Sequence, residues 1–337
     1  MTLLLLEIFL RIFPDHDLQT NDSYKYTKKI GRSAFQEPFH SMQELYPALF
    51  DVRGYYAKSG GIIRYDFDQL GGRWLRPEIR DTNGYNVFVL GDSFTLGFGL
   101  RYEDTYIYKL QEELRKQKIP VNLWNFAMLA AESRKCLWIY QKCSGRIEHD
   151  IVLYGLNMND LVEFPTSYVS NITISIRWRF LLKRSRLFYF FIKKWNTYLD
   201  RKRKIAELTS PEVFQKPYFR SNLDAIIELD KEVRKKGMHL RVIILPILID
   251  LKKGTFRPVF QTIMDDLKAR KIEYYDLTSV LPPRTDSDYW IMPIDQHPNE
   301  KANAIFANRL ASYVLQDPAL GPYLQRKGSE YVALKQK

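Results

Sequence analysis

The chain has 337 residues, 45% of them hydrophobic, which is enough to bury a full core and places it in the globular class as about one large domain with attachments. Its net charge is +12, yet no stretch resembles a dedicated nucleic-acid-binding module, so a nucleic-acid partner is not expected. The five histidines and two cysteines form neither a His-x-x-x-His nor a Cys-x-x-Cys spacing, which argues against a structural zinc site, and no metal or cofactor is expected.

At the amino end, residues 3–13 read Leu-Leu-Leu-Leu-Glu-Ile-Phe-Leu-Arg-Ile-Phe. This run is strongly apolar but far short of the ~20 residues that cross a bilayer, and it has neither a basic leader nor a small-residue cleavage site. It reads as the tail of a membrane anchor, as a short interfacial anchor or as a first helix packed on the domain. Residues 14–84 hold many aromatics, several glycines and few periodic segments, and form a lead-in to the domain.

From residue 85 the pattern becomes regular. Apolar strand candidates at 86–91, 121–126, 150–156, 240–246 and 272–276 alternate with helical segments, the signature of βαβ units and a parallel sheet. Tyr106, Ile107, Leu110 and Leu114 recur at helical spacing, as do Ala302, Phe306, Leu310 and Tyr313, so these aromatics are expected in the core. Cys136 and Cys143 lie seven apart on a helix, about 10 Å, too far for a disulfide between them.

Three strand ends carry candidate chemistry. The run Val87–Leu90 empties into Gly91-Asp92-Ser93, which places one hydroxyl at the carboxyl edge of the sheet, where open α/β proteins bind ligands. Gly91, Gly97 and Gly99 match neither a Walker loop nor a dinucleotide fingerprint. The run 150–156 leads into Asn157-Met158-Asn159-Asp160, where an asparagine amide could donate to an oxyanion or simply cap a turn. Near the other end Asp295 and His297 stand in a loop before a helix; a base oriented by a carboxylate is what a serine nucleophile needs.

These blocks resemble the GDSL family of esterases and acyltransferases, also called SGNH hydrolases, over roughly residues 85–315. The resemblance implies a three-layer α/β/α, flavodoxin-like fold with a five-stranded parallel sheet in a domain spanning 85–325. It implies Ser93 as nucleophile, His297 as base and Asp295 as its orienting acid. The oxyanion hole would comprise the backbone N–H groups of Ser93 and Ala130 and the amide of Asn159, with Gly91, Asp92 and Asp160 shaping the site. Ala127 and Ala130 stand where the family has glycines, and Gly155-Leu156-Asn157 offers a rival register for the asparagine. The two-residue spacing of Asp295 and His297 resembles extracytoplasmic members that act on glycans. Such relatives often carry one membrane-spanning helix ending in a run like Leu6–Arg11 and a Gly-x-Arg lead-in like Gly71-Gly72-Arg73, so a membrane-anchored, extracytoplasmic location is expected.

The implied activity is ester hydrolysis or O-acyl transfer on an acylated small molecule or glycan, above all an O-acetyl ester of a cell-envelope glycan. A lipolytic esterase acting on membrane lipids and an inactive glycan-binding or assembly protein are the alternatives. Residues 161–216 interrupt the resemblance with an insertion in which basic and large aromatic residues mix over 177–204. Such a segment is either a helical cap over the acyl pocket or a helix seated at an anionic membrane surface. Residues 326–337 form a basic tail.

Overall fold

The computed structural model describes residues 6–8, 72–73, 81, 84–162, 185–292, 295–322 and 324. Within these, the side chains of Met292, Asp295 and several residues between 186 and 204 lie outside the description. So do most of the 1–13 segment and of the 14–84 lead-in, the first part of the insertion at 163–184, and the 326–337 tail.

Strand β1 (Tyr85–Gly91) shows why the sheet must be covered on both sides. Val87, Phe88, Val89 and Leu90 are all buried. Because successive strand side chains point to opposite faces, Phe88 and Leu90 enter one core and Val87 and Val89 the other. Strands β2 (Val121–Asn125), β3 (Ile151–Leu156), β4 (His239–Ile244) and β5 (Tyr274–Asp276) join it in the order β2-β1-β3-β4-β5, every pairing parallel. The chain first crosses from β1 to β2 on one side and then returns to β3 on the other. The crevice between β1 and β3 is therefore the topological switch point, where this strand order binds its ligands.

Between β1 and β2 come a four-residue helix α1 (Ser93–Leu96) and the longer α2 (Tyr106–Lys116). Helix α3 (Ser133–Cys143) leads to β3. Helices α4 (Arg186–Thr209) and α5 (Pro217–Lys235) lead to β4, and α6 (Arg257–Ala269) to β5. Helix α7 (Glu300–Gln316) closes the fold. The stripes read from the sequence set the layers: Tyr106, Ile107, Leu110 and Leu114 of α2 pack with Ala302, Phe306 and Leu310 of α7 on the face of Val87 and Val89. Helices α3, α5 and α6 cover the face of Phe88 and Leu90. Each buried Leu or Ile contributes about 1.5–3 kcal/mol, so these stripes are enough to fix which side of each helix meets the sheet. Cys136 and Cys143 are both buried, and neither is in a disulfide.

One region departs from expectation. Asp295 and His297 are not in a loop but on β7 (Asp295–Pro298), which pairs antiparallel with β6 (Trp290–Met292) in a separate two-stranded sheet. The cause is Asn299, fully buried immediately after β7. Its Oδ1 accepts from the backbone N–H groups of Lys301 and Ala302 and so caps α7, while its Nδ2 donates to the carbonyls of Asp288 and Trp290. One side chain thus joins the helix start to the opposite strand of the hairpin. Nothing in the alternation of so short a segment announces that.

Among the described residues, no helix is long and apolar enough to cross a membrane.

Candidate active site

The site forms where β1 and β3 end side by side. Gly91 pairs with Gly155 across the two strands, and both positions exclude a side chain. A Cβ on Gly91 would stand 2.3 Å from Thr95 Oγ1, and one on Gly155 would stand 2.1 Å from the same atom and 2.6 Å from Tyr106 Oη. The space is taken by the Thr95–Tyr106 hydroxyl hydrogen bond, 2.9 Å, which fastens α1 to α2 beneath the strand ends.

Beyond Gly91 the chain turns sharply into α1. Asp92 is the N-cap: its Oδ1 accepts from the Phe94 N–H at 2.9 Å. Ser93 is the first helical residue, and its backbone N–H is one of those a helix start leaves without an intrahelical partner. Helix α1 ends at Gly97, whose φ of 76° supplies the left-handed stop. Asn125, at the end of β2, donates from Nδ2 to the Thr95 carbonyl at 2.9 Å and so ties α1 to the sheet.

The structure brings Ser93 and His297 together across 204 positions of sequence, with Oγ 2.8 Å from Nε2. In the tautomer that leaves Nε2 unprotonated, the serine hydroxyl donates to it, which is the arrangement a general base requires. The imidazole is flanked by two rings of the α1 region, Phe94 with its centroid 5.4 Å away and Phe98 at 4.9 Å. The backbone of the next residue is held by α7. Asn303 on α7 donates to the Pro298 carbonyl at 3.0 Å and accepts from the Tyr106 N–H at 2.8 Å. The α2 residue that holds Thr95 is therefore linked to the residue next to His297. Asp295 stands two residues before His297 on β7; its side chain lies outside the described ones.

Of the two asparagines after β3, Asn157 occupies the more telling position. It follows Gly155, the strand partner of Gly91, by two residues. Its Oδ1 accepts from the Asn159 N–H, its own N–H donates to Asp160 Oδ2 at 3.0 Å, and together they form a capping box around the turn Met158–Asp160. Its Nδ2, buried, has no hydrogen-bond partner among the described residues. A buried amide donor without a partner is costly, and at a switch point it suits an acceptor that arrives with a ligand. Asn159 is half-buried, and its backbone serves the same turn.

Ala130 lies in an exposed turn with φ of 53°. The left-handed backbone that favours glycine is thus kept here by an alanine, at a cost of roughly 1–2 kcal/mol. Ala127, the other alanine at a glycine position of the resemblance, is buried, and its N–H donates to Asn125 Oδ1 at 3.0 Å.

Two carboxyls lie buried beneath the strand ends. Burial pushes Asp92 up to about 6, against the opposing pull of the Phe94 N–H and of His297. Burial, followed by the charge of Asp92, holds Asp160 well above the usual carboxylate range. Asp160 Oδ2 accepts from Tyr154 Oη at 3.3 Å, and Tyr154 in turn meets Ser133 Oγ at 2.9 Å.

In the sequence Gly71-Gly72-Arg73 stood out only as a lead-in. Arg73 is 1% exposed. Its backbone bridges to β2 through the Asn125 carbonyl at 2.7 Å, and its guanidinium donates to the carbonyls of Leu96, Gly97 (3.1 Å) and Leu100 (2.6 Å). These three carbonyls bracket Phe98. Phe98 itself was missed: a lone aromatic between two glycines has no periodicity to betray it. Among the described residues no group of three or more His, Cys, Asp or Glu is placed to hold a metal ion.

Fold and site together define an α/β protein with a serine–histidine pair at the switch point of a parallel sheet. No family model matches the chain, and no curated protein matches it. Solved structures do resemble it. They include a member of the lipolytic protein G-D-S-L family from Veillonella parvula, 11% identical, covering 69% of this chain and 100% of that one with a TM-score of 0.41. The psychrotrophic esterase EstA from Pseudoalteromonas sp. is 15% identical, covering 67% and 94% with a TM-score of 0.40. The lipase Lip_vut3 from a goat rumen metagenome is 14% identical, covering 68% and 96% with a TM-score of 0.46.

Proposed function

We propose that the protein is a serine ester hydrolase or O-acyltransferase in which Ser93 is the nucleophile and His297 its base. The observation that carries this reading is the 2.8 Å approach of Ser93 Oγ to His297 Nε2 at the carboxyl edge of the sheet. Ser93 Oγ attacks the acyl carbonyl carbon and its proton passes to Nε2. The C–O bond to the leaving alkoxide then breaks as His297 returns that proton, leaving an acyl-serine. Water, or a hydroxyl of an acceptor, attacks the acyl carbon in the second half and releases the serine. Asp295, two residues before the base, would orient the imidazole and stabilise its charged form.

For the oxyanion we favour Asn157 over Asn159. The buried Nδ2 of Asn157, without a partner among the described residues, supports this choice. The N–H groups of Ser93 and Ala130 would complete the hole, with Gly91, Asp92 and Asp160 shaping the turn that holds them. The substrate we infer is an O-acetyl ester on a cell-envelope glycan, handled on the extracytoplasmic side of a membrane. This part of the reading rests on the Asp295-x-His297 spacing and the apolar amino-terminal run.

Replacing Ser93 by alanine is expected to lower turnover of an acetyl ester at least about a thousand-fold with the circular dichroism spectrum unchanged. A serine-directed phosphonate should label the wild type and not Ser93→Ala. Labelling of neither, with no acetyl ester cleaved or transferred, would overturn the enzyme reading and leave a binding protein. Faster turnover of long-chain than of acetyl esters would instead make it lipolytic.

A further inference from the structure

Among the described residues the exposed large hydrophobic side chains fall in two places only: Leu6 and Ile8 near the amino end, and Phe191, Trp195, Tyr198 and Leu199 on α4. The first place is tied to the start of the second place's helix. Glu7 Oε2 accepts from Ser185 Oγ at 2.9 Å and from the Leu187 N–H at 2.8 Å, so the carboxylate sits on the start of α4, where a helix welcomes negative charge.

Helix α4 has 24 residues, about 36 Å of length, and among its described side chains those near its end join the core. Leu208 is buried and Ile205 packs against the same cluster. Trp195, 13 positions earlier, is carried about 20 Å from that attachment and is 59% exposed, and Phe191 is 56% exposed. Residues 191, 195, 198 and 202 recur at the spacing of one helix face. Along it, aromatics give way to cations: Trp195 contacts Tyr198 with ring centroids 5.9 Å apart, and Lys202 Nζ lies 4.9 Å over the Tyr198 ring. Lys202 and Arg203 are exposed. Residues 177–204 hold eleven Lys and Arg against a single acid, Asp200.

We propose that this face of α4, with Leu6 and Ile8 beside its start, seats the protein on an anionic lipid surface. Large aromatics followed by cations suit the layered chemistry of a membrane interface, rings at the acyl boundary and ammonium or guanidinium groups among phosphates. A second copy of the chain would bring the same positive charge against itself. The proposal does not use Ser93, and its test is separable from that of the esterase reading: Ser93→Ala should bind vesicles as the wild type does.

The full chain is expected to sediment with phosphatidylcholine–phosphatidylglycerol vesicles far more than with pure phosphatidylcholine, and to be released as salt rises. Phe191→Ser with Trp195→Ser, and separately Lys202→Glu with Arg203→Glu, should each lower partitioning about ten-fold or more while ester turnover in solution is unchanged. Brominated lipid should quench wild-type fluorescence more than that of Trp195→Phe. Equal binding to both vesicle types, or binding indifferent to both double variants, would overturn the proposal. So would a dimer in solution abolished by the Phe191/Trp195 pair without vesicle binding, or tighter retention of a DNA oligonucleotide than of the anionic vesicles.

Discussion

The carboxyl edge of the sheet and the outer face of α4 use aromatic residues in opposite ways. At the edge, Phe94 and Phe98 enclose one imidazole, and Phe98 is bracketed by carbonyls that Arg73 holds. On α4, Phe191, Trp195 and Tyr198 face outward with cations at their end. The residue types are alike, so the difference comes from what surrounds them. A ring locked among buried neighbours fixes geometry, whereas a ring on an exposed helix face offers surface.

That contrast is sharpest at Asn157. Asn157→Ser retains an oxygen to accept from the Asn159 N–H but removes the amide donor. It is expected to lower kcat about 100- to 1000-fold, the cost of losing one oxyanion donor, with KM little changed. Asn159→Ala should change kcat by less than about ten-fold. The reverse order in steady-state kinetics would give the donor role to Asn159.

Arg73→Lys tests whether the enclosed ring needs its brace. An ammonium cannot span three carbonyls as a planar guanidinium does, so a loss of about 2 kcal/mol in urea unfolding is expected. Because Phe98 contacts His297, the pH profile of kcat should also shift. A loss of stability with kcat and its pH profile unmoved would make Arg73 purely structural.

A weaker effect is expected from Asp92. Its folded pKa is raised to about 6 by burial, so its protonated form is favoured by folding. Its contribution to stability is complete below about pH 4 and is lost as pH rises through about 6. Asp92→Asn, which can still cap Phe94, should lack that decline. The stability difference between variant and wild type should therefore move in the variant's favour from about pH 4 to about pH 6, read by urea unfolding at each pH. A difference that is flat or of opposite sign would mean that Asp92 is ionised in the folded protein throughout.

The smallest effect belongs to the outer face. Trp195→Ser is expected to change unfolding stability by less than about 0.5 kcal/mol, since an exposed ring has little burial to lose. A loss of several kcal/mol would show that the stripe packs against the rest of the chain and would end the contrast with the edge.

The five strands, the buried stripes of α2 and α7, and the order serine, asparagine, aspartate, histidine were legible in the sequence, because strand and helix periodicity and strand-end turns are local properties of a few neighbouring residues. That Asn157 keeps a buried amide donor with no partner among the described residues was not, since both asparagines follow the same strand and only the packing around the turn Met158–Asp160 sets them apart. The hairpin carrying His297 was likewise hidden. Its register depends on Asn299 reaching the carbonyls of Asp288 and Trp290 while capping α7. The grip of Arg73 on the chain around Phe98 and the exposure of the α4 stripe depend on which surfaces meet across long stretches of sequence. Periodicity tells which side of an element is apolar; only packing decides whether that side is covered, and by what.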